Sequence, residues 1–348
     1  DGGGGGPSAA AELATDCGST GDCLAMSDDG DTLISIGGDG DAASVSVFSA
    51  GQGTLLKSFH GHTDKVCCVA AHHGIAASGG VDRCIRLWSL TTGECTGIVE
   101  GCQEKIYGLA LRGELLLSGE AEGGGGGGGK ARLWLLDGKR TRAAPAAVFS
   151  EHTGHVWSVA LGKEVGVSAS HDGTVKVWPL VGGNASIATL THPDWVCSVS
   201  LDGDMIATGC GDGRVRLWSL ESQKCTRTLD HNGGKYFDGK VRVRVGNRSP
   251  VFSVRLIGNS IVSGGQDQNV RVWSLNGECV ATLAHGANVR GLAGGAAGGF
   301  VASVGGKPTK KLVVWRAGAV GAPPSTAPAS SSNSSTPTKK TPGIKSRR

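Results

Sequence analysis

Three residue types that form hydrolase triads stand close together in the middle of the chain. His152, Ser168 and Asp172 lie within 21 residues and are followed by Trp178. A histidine that takes a proton from a serine hydroxyl, while a carboxylate orients its ring, is an arrangement used in nucleophilic acyl transfer. The same hydrogen bonds can also hold a small sheet together. Asp accepts from the ring N–H, His accepts from the Ser hydroxyl, and Ser accepts from the indole N–H.

Copies of this grouping decide between the two interpretations. The same spacing recurs in His62, Ser78, Asp82 and Trp88, and in His192, Thr208, Asp212 and Trp218. Catalysis needs one special copy, whereas a structural module is repeated. We therefore predict that these residues form a structural polar network, that the chain is not an enzyme, and that it uses no cofactor. Partial copies are Ser263, Asp267 and Trp273, then His285, Ser303 and Trp315, then Ser118 and Trp134, then Ser35, Asp39 and Phe48.

The elements around these residues are short strands. In the unit of His152 the segments VWSVAL, VGVSAS and VKVW alternate apolar and polar residues, and a tight HDGT turn separates the last two. This pattern predicts antiparallel strands joined by hairpins. The marker aromatic residues are 40, 46, 44, 40, 55 and 42 residues apart, so each unit has room for four strands. They are Phe48, Trp88, Trp134, Trp178, Trp218, Trp273 and Trp315.

This period with four strands per unit is typical of WD40 repeats, and the chain resembles the WD40-repeat family over roughly residues 10–318. Gly61 and His62 preserve the GH dipeptide of the family, while WS or a variant replaces its terminal WD pair. The resemblance implies an all-β, seven-bladed β-propeller of four-stranded antiparallel blades. The expected blades cover about residues 17–59, 60–100, 101–149, 150–190, 191–230, 231–284 and 285–318.

Segments outside and between the blades have biased compositions. No strand follows Trp315 to complete the last blade, so we expect an N-terminal strand near residues 10–15 to close the ring. Residues 1–9 are rich in glycine, and residues 319–348 are basic and rich in Pro, Ser and Thr. Both are expected to be disordered. The seven glycines at 123–129 precede Lys130, but no Ser or Thr follows, so we predict an inter-strand insert rather than a phosphate-binding loop.

The composition narrows the setting in which the chain works. Eleven cysteines without a C-x-x-C pair argue against a disulfide framework and indicate an intracellular, cytoplasmic setting, with cytoskeletal or nuclear sites left open. No apolar run approaches the ~18 residues of a membrane span, so no membrane contact is predicted. The start at Asp1 rather than Met is typical of a fragment. The formal charge is +4, yet residues 307–348 hold nine Lys or Arg and no acid, leaving −5 on residues 1–306.

The residues that determine function are expected at the positions where the repeats differ in sequence. Because strand side chains alternate, two columns beside the invariant apolar residue of each innermost strand should reach one mouth of the channel. The first column reads Lys65, Lys105, His155, Trp195, Pro250 and Asn288, and the second reads Cys67, Tyr107, Trp157, Cys197, Phe252 and Arg290. A third column, before the turn Asp, reaches the same rim with Val81, His171, Gly211 and Gln266.

The resemblance implies that these positions form the top-face partner site. Aromatic and Arg anchors often dominate binding energy, which favours an interaction surface; the alternative is that the aromatic residues merely plug the narrow end of the channel. We predict a non-catalytic scaffold or adaptor subunit of a multi-subunit assembly, which binds a peptide or protein loop, best an acidic or phosphorylated one. The predicted partner-binding residues are Lys65, Lys105, Tyr107, His155, Trp157, His171, Trp195, Phe252, Gln266 and Arg290.

Two further possibilities follow from charge and histidine content. The blade-six insert carries Lys235, Lys240, Arg242, Arg244 and Arg248. It is either a tolerated surface insertion or a partner-binding hairpin, and together with the basic tail it offers an alternative function, binding nucleic acid or a microtubule surface. His72 and His73 lack companion ligands at metal spacing, so no metal site is predicted.

Overall fold

The computed structural model describes residues 13–16, 23–37, 43–99, 101–121, 128–136, 144–231, 249–295, 300–306 and 311–316. These residues form seven four-stranded antiparallel sheets and no helix. The innermost strand of each sheet packs against the innermost strands of the two neighbouring sheets, and the last contacts the first. The expected seven-bladed β-propeller is therefore confirmed. Several segments with predictions lie outside the described residues. They are Asp39, the blade-six insert, the tail, the first nine residues and most of the glycine run.

The strands follow one another from the channel outwards in each blade. The N-terminal strand β1 is Leu13–Asp16, and blade one contains β2 (Leu24–Met26), β3 (Thr32–Ile36), β4 (Val45–Ser49) and β5 (Leu55–Phe59). Blade two contains β6 (Val66–His72), β7 (Ile75–Gly80), β8 (Ile85–Ser89) and β9 (Cys95–Val99). Blade three contains β10 (Ile106–Arg112), β11 (Leu115–Glu120), β12 (Ala131–Leu135) and β13 (Ala147–Phe149).

The remaining blades have the same order. Blade four contains β14 (Val156–Leu161), β15 (Val165–Ser170), β16 (Thr174–Pro179) and β17 (Ala188–Thr191). Blade five contains β18 (Val196–Asp202), β19 (Met205–Cys210), β20 (Arg214–Ser219) and β21 (Cys225–Asp230). Blade six contains β22 (Val251–Ile257), β23 (Ser260–Gly265), β24 (Asn269–Ser274) and β25 (Cys279–Ala284), and blade seven contains β26 (Val289–Gly295), β27 (Phe300–Gly305) and β28 (Lys311–Arg316).

The ring is closed by the N-terminal strand. β1 pairs antiparallel with β28, with Leu13 opposite Val314 and Asp16 opposite Lys311. Blade seven thus has the order β1-β28-β27-β26 and takes its outer strand from the other end of the chain. Closure leaves no unpaired edge between the first and last blades, which is how a propeller avoids an open sheet edge.

A polar chain of four side chains holds the complete blades together. In blade four, His152 Nδ1 lies 2.8 Å from Asp172 Oδ2, and His152 Nε2 lies 2.7 Å from Ser168 Oγ. The Trp178 indole N–H donates to the same Ser168 hydroxyl at 2.7 Å. Burial opposes ionisation of Asp172, but hydrogen bonds from His152 and Thr174 hold the pKa of its carboxyl well below the usual range. In blade two the corresponding distances are 2.7, 2.7 and 2.8 Å.

The Trp of this polar chain also joins neighbouring blades. The Trp178 ring stacks on Phe149 of the preceding blade with centroids 4.7 Å apart, and Trp88 stacks on Phe59 at 5.2 Å. Both indoles are buried. Stacked aromatic pairs add to the free energy of burial, so one residue links the polar chain inside a blade to the apolar contact between blades.

Blade six contains a histidine that the sequence analysis missed. His231 Nδ1 lies 2.8 Å from Ser263 Oγ, and His231 Nε2 lies 3.1 Å from Asp267 Oδ1. The Trp273 indole donates to Ser263 at 2.7 Å. His231 is 32 residues before Ser263, twice the usual separation of 16, because an insert intervenes. A search at fixed spacing therefore cannot find it.

Blade five departs from the predicted network in one contact. His192 Nε2 bonds to Thr208 Oγ1 at 2.8 Å, but His192 Nδ1 lies 3.2 Å from the Leu190 carbonyl oxygen rather than near Asp212. Asp212 instead accepts two hydrogen bonds from Arg216, at 2.6 and 3.2 Å. The prediction of an Asp212–His192 contact is wrong because a bidentate guanidinium competes for the same carboxylate and binds it more strongly.

The incomplete blades satisfy their buried polar groups differently. In blade three, where Cys102 replaces the histidine, Arg132 Nη1 donates to the buried Glu120 carboxylate at 2.7 Å. Trp134 still donates to Ser118 at 2.9 Å. Burial raises the pKa of Glu120 to about 7, against the opposing effect of Arg132. In blade one, Phe48 cannot donate, and the buried Ser35 hydroxyl has no hydrogen-bond partner among the described residues.

The contrast between Ser168 and Ser35 gives a matched test of the polar chain. We expect Ser168→Ala to lower the free energy of unfolding by about 2–4 kcal/mol, because it leaves both the Trp178 indole N–H and the His152 ring nitrogen unpaired. Ser35→Ala removes a hydroxyl that makes no bond and should change stability by less than about 0.5 kcal/mol. Urea unfolding followed by tryptophan fluorescence compares the two variants. Equal losses would contradict the assigned role of the hydroxyl.

The buried His192 predicts a pH dependence of stability. Burial lowers its pKa to about 4 from the ordinary 6.5. Between these pH values the unfolded chain binds a proton that the folded chain does not, so stability falls as the pH decreases from 6.5 towards 4. We expect His192→Asn to reduce the loss between pH 7 and pH 5 by roughly 2 kcal/mol, since each pKa unit corresponds to about 1.4 kcal/mol.

The control for His192→Asn is an apolar change in the adjacent strand. Leu190→Val removes one buried methylene, which costs about 1 kcal/mol at every pH, so its stability curve should run parallel to that of the wild type. Urea midpoints measured from pH 4.5 to pH 8 give both curves. If the His192→Asn curve is also parallel to the wild-type curve, the proposed proton linkage is wrong.

Candidate partner-binding site at the channel mouth

A cavity of about 510 Å³ opens where the innermost strands of all seven blades begin. Its walls combine residues from each blade, including Cys23, Cys67, Tyr107, Trp157, Trp195, Phe252 and Arg290. Because every innermost strand contributes, this cavity is the mouth of the central channel. Its size lies in the range typical of ligand pockets.

A β-bulge at the start of the innermost strand in six of the seven blades aims one side chain into the cavity. The pairing of β14 with β15 shifts register between Val156 and Ser158, so Trp157 is the extra residue. The same shift occurs in blades two, three, five, six and seven. Bulges redirect side chains at the rims of closed sheets. All six bulge residues line the cavity, namely Cys67, Tyr107, Trp157, Cys197, Phe252 and Arg290.

The first and third columns lie side by side around the rim. In blade five, the Gly211 backbone N–H donates to the Trp195 carbonyl at 2.8 Å, and in blade four His171 donates to His155 at 2.8 Å. Blades two, three and six make the equivalent bond through Val81, Ala121 and Gln266. These bonds fix the rim backbone, so the side chains of both columns project from a rigid base.

Aromatic rings form a continuous arc across four blades. The ring of Tyr107 lies 4.7 Å from Trp157, which lies 6.3 Å from His171. His171 lies 6.0 Å from Trp195, and Trp195 lies 6.4 Å from Phe252. These centroid distances are within the range of interacting aromatic pairs. The predicted aromatic positions are thus adjacent, and His155 joins them at 5.5 Å from Trp157.

Cationic side chains border this arc. The guanidinium carbon of Arg290 lies 5.1 Å from the Phe252 ring centre, a cation–π distance. Lys65 lines the other side of the cavity beside Tyr107. Burial raises the pKa of the Tyr107 hydroxyl, so it remains a protonated donor at neutral pH. Lys105 and Gln266 are exposed on the rim and are not among the residues that line the cavity.

Two residues that line the cavity, Trp157 and Arg255, carry further side-chain hydrogen-bond donors. The indole N–H of Trp157 is buried and has no hydrogen-bond partner among the described residues. Arg255, on β22, lines the deeper wall and donates from Nη1 to the Val254 carbonyl at 3.2 Å. Arg255 is not among the predicted site residues, because it lies beyond the columns at the start of the innermost strands. The aligned position is Ala or Ser in the other blades, which could have revealed it.

At the opposite end of the innermost strands, the structure corrects the prediction that His72 and His73 lack a companion ligand. Asp28, from the β2–β3 turn of the neighbouring blade, lies 3.2 Å from the Nδ1 atoms of both rings. The three side chains could together hold a metal ion. The companion ligand was missed because it lies 44 residues away in sequence. The His73 backbone N–H also donates to Asp28 at 2.6 Å, so hydrogen bonds account for the cluster without a metal.

The remaining predictions on compartment concern thiols and membrane spans. All ten cysteines in the described ranges are free. Burial raises the pKa of Cys102 to about 12 and that of Cys210 to about 11. Such thiols are poor nucleophiles, because the thiolate is the reactive form. Within the described residues, no helix is long and apolar enough to cross a membrane.

Comparisons with known proteins agree with the repeat pattern. The WD40 family, described as "WD domain, G-beta repeat", matches residues 53–89, 144–179, 184–219 and 238–274. Members of this family are generally non-catalytic scaffolds. These four stretches cover the three inner strands of blades two, four, five and six. In these blades the hydroxyl, Asp and Trp markers are complete.

Curated proteins similar to the chain share its repeats at low identity. "Mitochondrial division protein 1" of Aspergillus oryzae is 25% identical over 236 residues, 64% of this chain and 34% of the relative. The protein of the same name from Schizosaccharomyces pombe is 28% identical over 145 residues, 39% of this chain and 22% of the relative. "Protein tipD" of Dictyostelium discoideum is 26% identical over 189 residues, 51% of this chain and 29% of the relative.

The chain therefore spans about a third or less of the length of the curated relatives it matches. The four family matches agree with the seven-bladed ring and with the Trp–hydroxyl bond that recurs in six blades. On this evidence, the chain belongs to the WD40-repeat family.

Proposed function

We propose that this propeller is a non-catalytic adaptor subunit that binds a peptide or loop of a protein partner at the channel mouth. The observation that carries the proposal is the unbroken arc of rings from Tyr107 to Phe252, with Arg290 at its end. Aromatic and Arg side chains concentrated at the centre of a concave surface are typical of binding hot spots. The deep cavity behind them gives a partner side chain a place to enter.

The charge of the mouth favours an acidic or phosphorylated segment. Lys65 and Arg290 border the cavity from opposite sides of the aromatic arc, and Arg255 stands behind it. No Asp or Glu is among the described residues that line the cavity. Hydrogen bonds between a guanidinium or ammonium and a carboxylate or phosphate are shorter and stronger than neutral ones. A partner of opposite charge would also associate faster.

The alternative that the aromatic residues only plug the channel is less well supported. A plug fills its space, whereas these residues surround a cavity of about 510 Å³. Trp195 and His171 are also partly or fully exposed on the rim. We therefore propose that the aromatic residues contact a partner, and that their packing against one another holds them in the orientation for binding.

The setting we propose is intracellular, within a multi-subunit assembly. Free cysteines throughout the described ranges suit a reducing compartment. The names of the relatives point to mitochondrial division, and an assembly of that process is the first place to look for the partner. A second candidate function is binding of nucleic acid or a microtubule surface, favoured by nine Lys or Arg and no acid in residues 307–348.

The two functions can be separated by comparing partners retained from a cell lysate. We expect Trp157→Ala/Trp195→Ala to lose the specific partners, because truncating central aromatic anchors commonly costs about 2 kcal/mol or more each. A 1–318 truncation should retain them. The control is Phe48→Leu, which truncates a buried aromatic side chain in the core of blade one and removes no hydrogen bond, with folding of every variant checked by circular dichroism.

The outcome that would exclude mouth recognition is the reverse pattern. Partners lost only on removal of residues 319–348, with steep weakening as salt is raised, would indicate that the propeller carries a basic tail to an acidic polymer. Retention by both the double variant and the truncation would exclude both functions as stated.

Gly211 allows the aromatic arc to be displaced without removing a ring. A Cβ added at Gly211 would lie 2.5 Å from Trp195 Nε1, so the indole would have to move. Its φ is outside the left-handed region, so alanine adds no backbone strain. We expect Gly211→Ala to weaken partner binding on the order of tenfold, as expected for about 1.4 kcal/mol. Gly183→Ala is the control, because a Cβ there meets no atom within 4 Å.

Binding of the captured partner to immobilised protein measures both glycine variants. A red or blue shift of the tryptophan emission in Gly211→Ala alone would show independently that Trp195 has moved. If the emission shifts and the partner still binds with wild-type affinity, Trp195 is not part of the interface.

A further inference from the structure

One residue on the channel wall, Arg255, is long and charged, whereas the equivalent residues in the other six blades are small. Arg255 pairs in register with Val262 on the second strand of blade six. The residues at the same register position elsewhere are Ala25, Ala70, Ala110, Ala160, Ser200 and Ala293. Small side chains at six positions leave room inside the channel, and one long cationic side chain occupies part of it.

The Arg255 guanidinium lacks a carboxylate partner of the kind that three other internal arginines have. Arg132 pairs with Glu120, Arg216 with Asp212, and Arg271 with Asp267. No carboxylate of the described residues is within ion-pair distance of Arg255, whose only hydrogen bond goes to the Val254 carbonyl. Burial lowers the pKa of its guanidinium, and the thiol of Cys23, two blades away around the ring, acts in the opposite direction. A charge in such a position is costly unless something pairs with it.

A second donor without an acceptor lies in the same cavity. The Trp157 indole N–H is buried and unpaired within the described part of the chain. Buried polar groups are normally satisfied, and each exception calls for an explanation. Both donors call for a ligand group that carries negative charge and at least two acceptor oxygens. A carboxylate and a phosphate have that chemistry, and a neutral or cationic group does not.

We infer that the channel mouth contains an anion subsite, in which the Arg255 guanidinium and the Trp157 indole N–H bind one carboxylate or phosphate group inserted past the aromatic arc. This inference rests on the proposed function, since the anion would be carried by a partner segment. The two sources are an acidic side chain and a phosphorylated side chain. The subsite would make Arg255 a specificity-determining residue, because a partner without the anion leaves both donors unpaired.

Small aromatic probes test the subsite without knowledge of the partner. Phenyl phosphate and benzoate carry the two anions on a ring that suits the aromatic walls, and benzamide is a neutral probe of similar shape. Tryptophan fluorescence reports binding, since Trp157 and Trp195 line the cavity. At constant ionic strength, we expect saturable binding of at least one anionic probe and at least about tenfold weaker binding of benzamide, the difference expected when polar groups of a site are left unpaired.

The variants separate a specific site from the general charge of the protein. Arg255→Gln should weaken the anionic probe at least about tenfold and leave benzamide unchanged, because a guanidinium–anion bond is lost. Arg112→Gln is the matched control. It removes the same charge from an exposed position at the other end of an innermost strand and should change binding less than about twofold. Trp157→Phe keeps a ring but removes the N–H, and it should weaken the anion more than benzamide.

Stability distinguishes a binding residue from a structural one. If Arg255 awaits a ligand, Arg255→Met should unfold at the same or a higher temperature, because an uncompensated charge has been replaced by an apolar side chain. A marked loss of stability would show that Arg255 supports the fold and would overturn the inference. So would equal binding of phenyl phosphate, benzoate and benzamide, or unchanged anion binding by Arg255→Gln.

The comparison of the two anions identifies the source. Tighter binding of phenyl phosphate points to a phosphorylated partner, and tighter binding of benzoate points to an acidic one. The partner experiment tests the proposed function independently of the probe experiment. If the partner lost by Trp157→Ala/Trp195→Ala binds Arg255→Gln normally, the anion subsite is wrong and the proposed function stands. If the probes bind as expected but no partner depends on the mouth, the proposed function is wrong and the subsite stands.

Discussion

A single buried hydroxyl in each of six blades accepts the indole N–H of the blade's tryptophan. In blade four, this bond fixes the third strand against the second, because Ser168 and Trp178 lie on adjacent strands. The oriented indole of Trp178 then stacks on Phe149 of the preceding blade. The polar bond inside one blade therefore sets the apolar contact with the next. The spacing and tilt of the blades, and with them the width of the channel, depend on this bond.

The rest of the polar chain is less strictly fixed than the hydroxyl. Asp172 binds His152, Asp212 binds Arg216, and Asp267 binds both His231 and Arg271. In blade three a Glu120–Arg132 pair occupies this region. What blades two to six share is that the carboxylate of this region is paired with an arginine or histidine side chain, which follows from the high cost of an unpaired buried charge. The partner can change between blades as long as the carboxylate is satisfied.

The sequence predicts the fold well because each blade repeats the same local constraints, so that Ser168, Asp172 and Trp178 identify their strands by spacing alone. Contacts that bridge variable segments are not predictable in this way. His231 is separated from Ser263 by an insert, and Asp28 approaches His72 from another blade. Competition between residues also escapes a pattern, as when Arg216 takes Asp212 from His192. For the candidate site, alternation places Trp157 near the channel mouth, but the bulge that aims it into the cavity has no signature in the sequence.

The bulges explain how a repetitive scaffold presents a non-repetitive surface. A bulge residue such as Trp157 has no direct partner on the neighbouring strand, since pairing passes from Val156 to Ser158. Its side chain is therefore free of the packing constraints that hold Ser168 and Trp178, and positions such as 67, 157 and 290 can differ without disturbing the blade. Arg255 lies deeper in the channel and is another position that differs without disturbing its blade. There, six small residues leave space that a seventh, larger residue fills only in part, so one substitution adds a charge to the cavity while the ring around it keeps its geometry.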